Sequence, residues 1–267
     1  MTATTTPPAG YVFADDPASG AVHHATLVQI LAQVLDPFTA WRLAPHIGPD
    51  SRCLEVAAGA GSIAGWMADR AGHVVATDTD ITHLNAHPNL APLRHDLVTD
   101  PVEGTFDVIH ARLVLAHLPQ RHELLGKLAA ALNPGGVLVV EEFQPGWDWC
   151  LLDAPDIDEA QRLFTVYQQA LTAVLQQAGN DTGWGRNVHR SMRAHELLDI
   201  DVQLWARSWY GGQPGCLLPA TAAAQLRPKL VAAGMSQADI DAFRGLLMDP
   251  ALMMHASLAV SSIGHHR

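Results

Sequence analysis

The hydrophobic pattern of the chain changes period several times, and each change marks an element. Leu27, Ile30, Leu31, Val34 and Leu35 recur at helical spacing within residues 21–47. A helix is expected there, followed after Pro37 by a second short helix reaching about His46. GPDS at 48–51 reads as a turn. Strand and helix signals then alternate. RCLEV, HVVATD, FDVIHA and VLVVEEF carry the apolar runs of buried strands, and APLRHD reads as an edge strand. Between them SIAGWMADRA (closed by Gly72), ITHLNA (stopped before Pro88) and RHELLGKLAAAL (ended by NPGG) read as helices. This β-α-β-α rhythm predicts an α/β fold whose parallel sheet is covered on both faces. In such sheets ligands bind beyond the carboxyl ends of the strands, near the switch in strand order. RCLEV, which runs into a glycine loop, is expected beside that switch.

After Phe143 the rhythm breaks. Residues 157–178 place Leu163, Val166, Tyr167, Ala170, Leu171, Val174 and Leu175 on one helical face, a stripe read as packing. WGRNVHR reads as a loop, DVQLWARSW as one strand, 219–247 as helical, and LMMHASLAV as a final strand. The Thr/Pro-rich start reads as a flexible arm.

The chain has 267 residues and 48% hydrophobic content, enough for one large core with insertions. A net charge of -11 argues against nucleic acid as a partner, because affinity for a phosphate backbone comes from basic groups. Cys53, Cys150 and Cys216 lie far apart, suiting neither a zinc set nor a disulfide framework, so a cytoplasmic location is expected. The start shows no signal-peptide pattern. No run of about 18 apolar residues is present, so no membrane span is expected. The sequence leaves a homodimer open.

The chemistry concentrates in LEVAAGAGSIAG at 54–65. Gly59, Gly61 and Ala64 satisfy G-x-G-x-x-A, a loose nucleotide pattern that does not by itself name the ligand. A helix after such a loop offers free N–H groups, and two glycines let a ligand come close. Glu55, just before the loop, would repel a pyrophosphate but suits an amino group. That favours S-adenosylmethionine over NAD.

The ordered series LEVAAGAGSIAGWMADRAG, HVVATDTD, LRHDLVTD, FDVIHARLVLAHLP and LNPGGVLVVEEF resembles class I S-adenosylmethionine-dependent methyltransferases of the small-molecule, natural-product type, over roughly residues 38–145. The resemblance implies a Rossmann-like, doubly wound, mostly parallel seven-stranded sheet with a terminal antiparallel hairpin and helical lid insertions. It divides the chain into an N-terminal arm and cap (1–37), a cofactor-binding core (38–145), a helical lid (146–195) and terminal strands with a helical insertion (196–267). It places Glu55, Ala57, Gly59 and Gly61 at the methionine end of the cofactor. Ala57 stands where the family has its first glycine. Asp78, with Thr79 beside it, falls at the ribose position, which Asp80 could share. Asp96 and Leu97 fall at the adenine, and the bland reading of Asp96 is a turn cap. Ala111 and Arg112 end the fourth strand, where donor and acceptor meet.

The sulfonium is already a good leaving group, so the protein must mainly align the acceptor and exclude water. A base helps for a hydroxyl or a protonated amine. His117 and His110 are the candidate catalytic residues, each with a structural alternative, and His189 and Tyr11 come next. Fifteen histidines invite a metal, but no H-E-x-x-H or Cys/His set appears, so none is expected. Trp147, Trp149, Trp184, Trp205 and Trp209, with Tyr167 and Tyr210, could wall an acceptor pocket, but most read as core. The reading is methyl transfer to a small-molecule acceptor, oxygen ahead of nitrogen and carbon. The rivals are a cyclase or binding scaffold on the same fold, and a nicotinamide oxidoreductase.

Overall fold

A computed structural model describes residues 12–13, 24–144 and 150–267. Tyr11, most of the N-terminal arm, Trp147 and Trp149 lie outside the described residues. The chain starts with α1 (His24–Leu43), then β1 (Arg52–Val56), α2 (Ser62–Ala68), β2 (His73–Asp78), β3 (Leu90–Arg94) and β4 (Phe106–Arg112). A one-turn 3-10 segment at Leu115–His117 leads to α3 (Arg121–Ala130) and β5 (Leu132–Gln144). Then come β6 (Leu151–Asp153), α4 (Ile157–Gln177), α5 (Val188–Ala194), β7 (Leu198–Trp205) and β8 (Ser208–Tyr210). The last elements are α6 (Pro214–Gln225), α7 (Arg227–Ala232), α8 (Gln237–Leu246), β9 (Met253–His255) and β10 (Leu258–His265).

Seven strands form the main sheet in the order β3-β2-β1-β4-β5-β10-β7. β1 pairs in parallel with both β2 and β4, so the strand order switches beside β1, as expected. β10 runs antiparallel between β5 and β7 and makes the terminal hairpin. One face packs on α1 and α2 through Cys53, Val74, Val108, Val137 and Val139. The other packs on α3 and α5 through Leu54, Ile109, Leu138, Val140 and Trp184.

Several expected elements differ. Pro37 does not divide α1, which is continuous. The bond lost at Pro37 falls on the solvent side, where Gln33 and Pro37 are both exposed, while Val34, Leu35 and Phe38 stay buried. ITHLNA is turns rather than a helix, because the Asp80 carboxylate takes Thr82 N at 3.0 Å and Thr82 Oγ1 at 2.7 Å. The β3–β4 connection also lacks a helix, so the sheet is not covered on both faces throughout. A shallow apolar recess opens there against Leu54, Val75, Leu93, Leu97 and Phe106. WGRNVHR is not a loop but a 3-10 turn entering α5. DVQLWARSW and LMMHASLAV each split into two strands belonging to different sheets. The two crossings meet, since Ala256 N donates to Arg207 O at 3.1 Å.

The second sheet, β6-β9-β8, joins α1, α4, α6, α7 and α8 in one apolar cluster. Parts of both insertions thus build one cap, whereas Trp184 and α5, also within 146–195, pack on the main sheet. Tyr167 stacks on Phe243 at 4.3 Å, and Trp209 is buried over Gly215, where an added Cβ would lie 2.1 Å from its ring. Trp184 is fully buried under the main sheet, and Trp205 stacks on Phe38 at 5.5 Å. These aromatics serve packing. Among the described residues, no helix is long and apolar enough to cross a membrane.

Candidate active site

After β1 the chain bends through three residues with positive φ: Ala57 at 53°, Gly59 at 55° and Gly61 at 79°. Glycine adopts this region freely, whereas alanine does so at a cost of about 1–2 kcal/mol. The loop is fixed to β2. Ala58 N donates to Thr77 O at 2.9 Å, and Gly59 N donates to Asp78 Oδ2 at 2.8 Å. The other Asp78 oxygen accepts from Asp80 N at 3.1 Å and Thr79 Oγ1 at 3.4 Å. Asp80 is engaged in its own turn with Thr82, which holds its carboxyl below the usual range. Asp78 is therefore the acid joined to the glycine loop.

His95 N donates to Asp78 O at 2.9 Å and brings the end of β3 alongside. Asp96 Oδ1 accepts from Val98 N at 2.9 Å, and Lys127 Nζ donates to Leu97 O at 2.8 Å. Asp96 thus caps a turn that α3 pins in place, with Leu97 buried below it. The cap does not use all of the carboxylate's acceptor capacity.

His110 and Arg112 belong to a second cluster, on the α1 face. His110 is fully buried. Its Nδ1 donates to Glu55 Oε2 at 2.7 Å, and its Nε2 faces Glu141 Oε2 at 3.5 Å. Thr39 of α1 donates to the same Glu141 oxygen. Arg112 Nη1 donates to Thr39 Oγ1 at 3.0 Å and to Asp36 Oδ1 at 2.9 Å. Burial alone would drive the imidazole neutral, but the Glu55 and Glu141 carboxylates outweigh it and raise its pKa to about 9. Burial likewise pushes against ionised Glu141, yet His110, Thr39 and Arg112 hold its carboxyl below the ordinary range. His110 has no exposure through which to reach an acceptor. Ala111 is buried on the opposite face.

The raised His110 pKa has a thermodynamic consequence. A folded-state pKa of about 9 against 6.5 contributes stability below 6.5 that is lost as pH rises through 9. Glu142, raised to about 8, loses stability in the same direction but finishes by about pH 8. Cys53 and Cys216, raised to about 12, begin to contribute only near 9. The melting temperature is therefore expected to fall as pH rises from 6.5 through about 9, and thermal melts of wild type against His110→Gln test whether the variant has a shallower slope.

His117 sits apart from this cluster, in the 3-10 segment after β4. It is half-buried, with the Phe13 ring edge-on at 6.3 Å. Burial lowers its pKa and the Arg121 charge adds to this, against a hydrogen bond with the Asn180 side chain. Its turn is clamped by Glu142 of β5, whose Oε1 accepts from Ala116 N at 3.0 Å. Burial raises the Glu142 carboxyl to about 8, opposed by backbone N–H groups of Ala116, Leu115 and Val114 and by Arg121. Arg121 Nη2 and Asp181 N both donate to Ala116 O, at 3.3 and 3.0 Å. His189 lies on α5, which packs on α3, β7 and β10.

Residues 27–181, more than half of the chain, match the family described as "Methyltransferase domain". The chain belongs to this methyltransferase family. Its relatives include methyltransferase str2 of Strobilurus tenacellus, 29% identical over 59% of this chain and 57% of that one. Methyltransferase str3 of the same organism is 31% identical over 40% of each chain. The matched stretches thus span 57% of the first of these curated relatives and 40% of the second. Among solved structures, the YcgJ protein of Bacillus subtilis shares the fold with a TM-score of 0.53 at 15% identity, over 92% of this chain and 99% of that one. A Haemonchus contortus phosphoethanolamine N-methyltransferase, solved with phosphomonomethylethanolamine and S-adenosylhomocysteine, gives 0.51 at 14% over 91% and 53%.

Gly59, Asp78 and Thr79 meet at the ends of β1 and β2, with Asp96 beyond the end of β3, while Glu55, His110 and Arg112 form the cluster under α1. Sequence reasoning passed over Glu141, Glu142, Thr39 and Asn180. The available signal was the pair of glutamates ending VLVVEEF. Adjacent strand residues face opposite sides, so in a sheet covered on both faces there each had to find a buried partner.

Proposed function

We propose that this chain transfers a methyl group from S-adenosylmethionine to a small organic acceptor in secondary metabolism, with oxygen placed ahead of nitrogen and carbon as the acceptor atom. The observation that carries the reading is the bond from Gly59 N to Asp78 Oδ2. It brings a loop of glycines and alanines and an acid together at the switch point, where a nucleoside and its attached amino acid fit. The residues suit that cofactor. Gly59 and Gly61 lack a Cβ, Asp78 keeps acceptor capacity for ribose hydroxyls, and Glu55 Oε2 alone is engaged by His110. The solved Haemonchus relative of the same fold holds S-adenosylhomocysteine.

When bound, the cofactor supplies a methyl group on a sulfonium that departs readily. The chain's own tasks are to hold the nucleoside at Asp78 and Asp96, exclude water with the cap, and align the acceptor. We assign the acceptor's proton to His117, whose imidazolium burial disfavours.

Calorimetric titration with S-adenosylhomocysteine and with NAD tests the cofactor, and S-adenosylhomocysteine release with candidate acceptors tests the reaction. Binding of S-adenosylhomocysteine alone is expected. No heat at millimolar ligand would sink the reading, and acceptor turnover without S-adenosylhomocysteine release would point to a cyclase. Asp78→Ala is expected to weaken S-adenosylhomocysteine by roughly 1–3 kcal/mol, the cost of a lost charged partner. An unchanged dissociation constant would move the role to Asp80.

A further inference from the structure

The cluster under α1 is continuous. It runs from Asp36 through Arg112, Thr39, Glu141 and His110 to Glu55, each linked to the next at 3.5 Å or less. One end lies on α1, the helix that joins the cap's apolar cluster. The other lies on β1, two residues before the glycine loop. The preceding positions on this face, Cys53, Val108, Val137 and Val139, are buried and apolar. Along β1, β4 and β5, ionic groups therefore enter this interface only at the carboxyl ends of the strands, while Arg42 of α1 is buried further along against Ser261 of β10 and Asp201 of β7. Buried ion networks seldom stabilise a fold more than apolar packing of the same volume, so packing α1 does not account for them.

Two details indicate what the network awaits. Glu55 has 4% of its surface exposed, and its Oε1 accepts no hydrogen bond among the described residues. Glu141 Oε1 is buried without a hydrogen-bond partner. The formal charges are three carboxylates against one imidazolium and one guanidinium, leaving one negative charge in excess. One ammonium group would balance them.

We propose that His110 is a positioning residue that holds the Glu55 carboxylate for the ammonium group of the cofactor's amino acid, and that the chain to Asp36 couples occupancy of that position to the seating of α1. This rests on the reading of the chain as an S-adenosylmethionine-dependent enzyme. An ammonium at Glu55 completes the charge balance, so the His110–Glu141 ion pair and the Thr39–Glu141 hydrogen bond strengthen and α1 is held more firmly against the sheet.

The test compares S-adenosylhomocysteine with 5′-methylthioadenosine, which keeps the nucleoside thioether and lacks the amino acid. Calorimetry is run on the full chain and on Glu55→Gln, His110→Gln and Thr39→Val. Glu55→Gln and His110→Gln are expected to weaken S-adenosylhomocysteine by about tenfold or more, the loss of a charge-assisted contact, and methylthioadenosine by less than about twofold. Thr39→Val, on α1, is expected to act in the same selective direction by about threefold. Hydrogen exchange of α1 amides should slow with S-adenosylhomocysteine but not with methylthioadenosine, and Thr39→Val should erase the difference. If His110→Gln does not fold, Thr39→Val decides. Parallel weakening of both ligands, or no change in either, overturns the relay while leaving the cofactor reading intact. Selective weakening by Glu55→Gln alone overturns the positioning role of His110 and the relay, and leaves only Glu55 at the ammonium. Wild type that binds neither ligand overturns the cofactor reading and the relay with it.

Discussion

Gly61→Val is expected to abolish S-adenosylhomocysteine binding while leaving the chain folded. Gly61 holds φ at +79°, where a β-branched residue is strongly disfavoured. A Cβ built there would lie 2.8 Å from Leu84 Cδ2. Leu84 can swing aside, but the backbone cannot follow without loosening two bonds, Gly61 N to Ala58 O at 2.8 Å and Gly65 N to Gly61 O at 2.9 Å. These set the loop's shape and the entry to α2, so the damage falls on the ligand cradle before the core. A strain of about 1–3 kcal/mol is small against the stability of a domain this size but decisive for a loop that must present its backbone accurately. Gly65 is the control. It has open space around it within α2, so Gly65→Ala should bind normally and gain up to about 1 kcal/mol in helix stability. Calorimetry with S-adenosylhomocysteine and a thermal melt separate the two outcomes. Normal binding by Gly61→Val would show that the ligand does not approach this loop.

What the sequence disclosed follows from what local pattern can carry. β1, β2, β4 and β5 were legible because strands buried on both faces read as unbroken apolar runs. The switch beside β1 was legible because the glycines mark where the chain leaves the sheet. ITHLNA carries a helix-like pattern, but the Asp80 turn captures Thr82 and so competes with a helix of so few residues. The breaks at Arg207 and Ala256 left no composition signal, since each depends on the other through a bond between distant segments. The ionic cluster was half-legible. Glu55 and His110 stood out as polar residues in apolar strands, but their pairing needed the register that sets Glu55 beside His110. Thr39 sits on a helix whose periodicity gives no hint that one hydroxyl reaches Glu141.

His117→Ala is expected to lower turnover by about 10²–10⁴-fold, the usual contribution of a general base, while leaving S-adenosylhomocysteine affinity unchanged. The two effects should separate, because His117 lies beside Phe13 and Asn180 in the segment after β4, whereas the glycine loop is fixed by Asp78 at the end of β2. The sign of the pH dependence follows from its environment. Burial and the Arg121 charge disfavour the imidazolium, so the pKa lies below 6.5 and the ring is neutral, hence able to accept a proton, at pH 7. The wild-type rate should hold as pH falls towards 6.5 and drop below it, and His117→Ala should lose that acid limb. Glu142 sets the turn that aims the ring, through Ala116 N. Glu142→Gln keeps one acceptor for those N–H groups and stands in for the neutral carboxyl that a pKa raised to about 8 favours at pH 7, so it should impair turnover far less than His117→Ala and retain the limb. A smaller loss in His117→Ala with the acid limb preserved would mean that the ring aligns the acceptor without taking its proton. A fully active His117→Ala enzyme would remove His117 from the chemistry and send the search to Tyr11 and His189, since buried His110 cannot take its place.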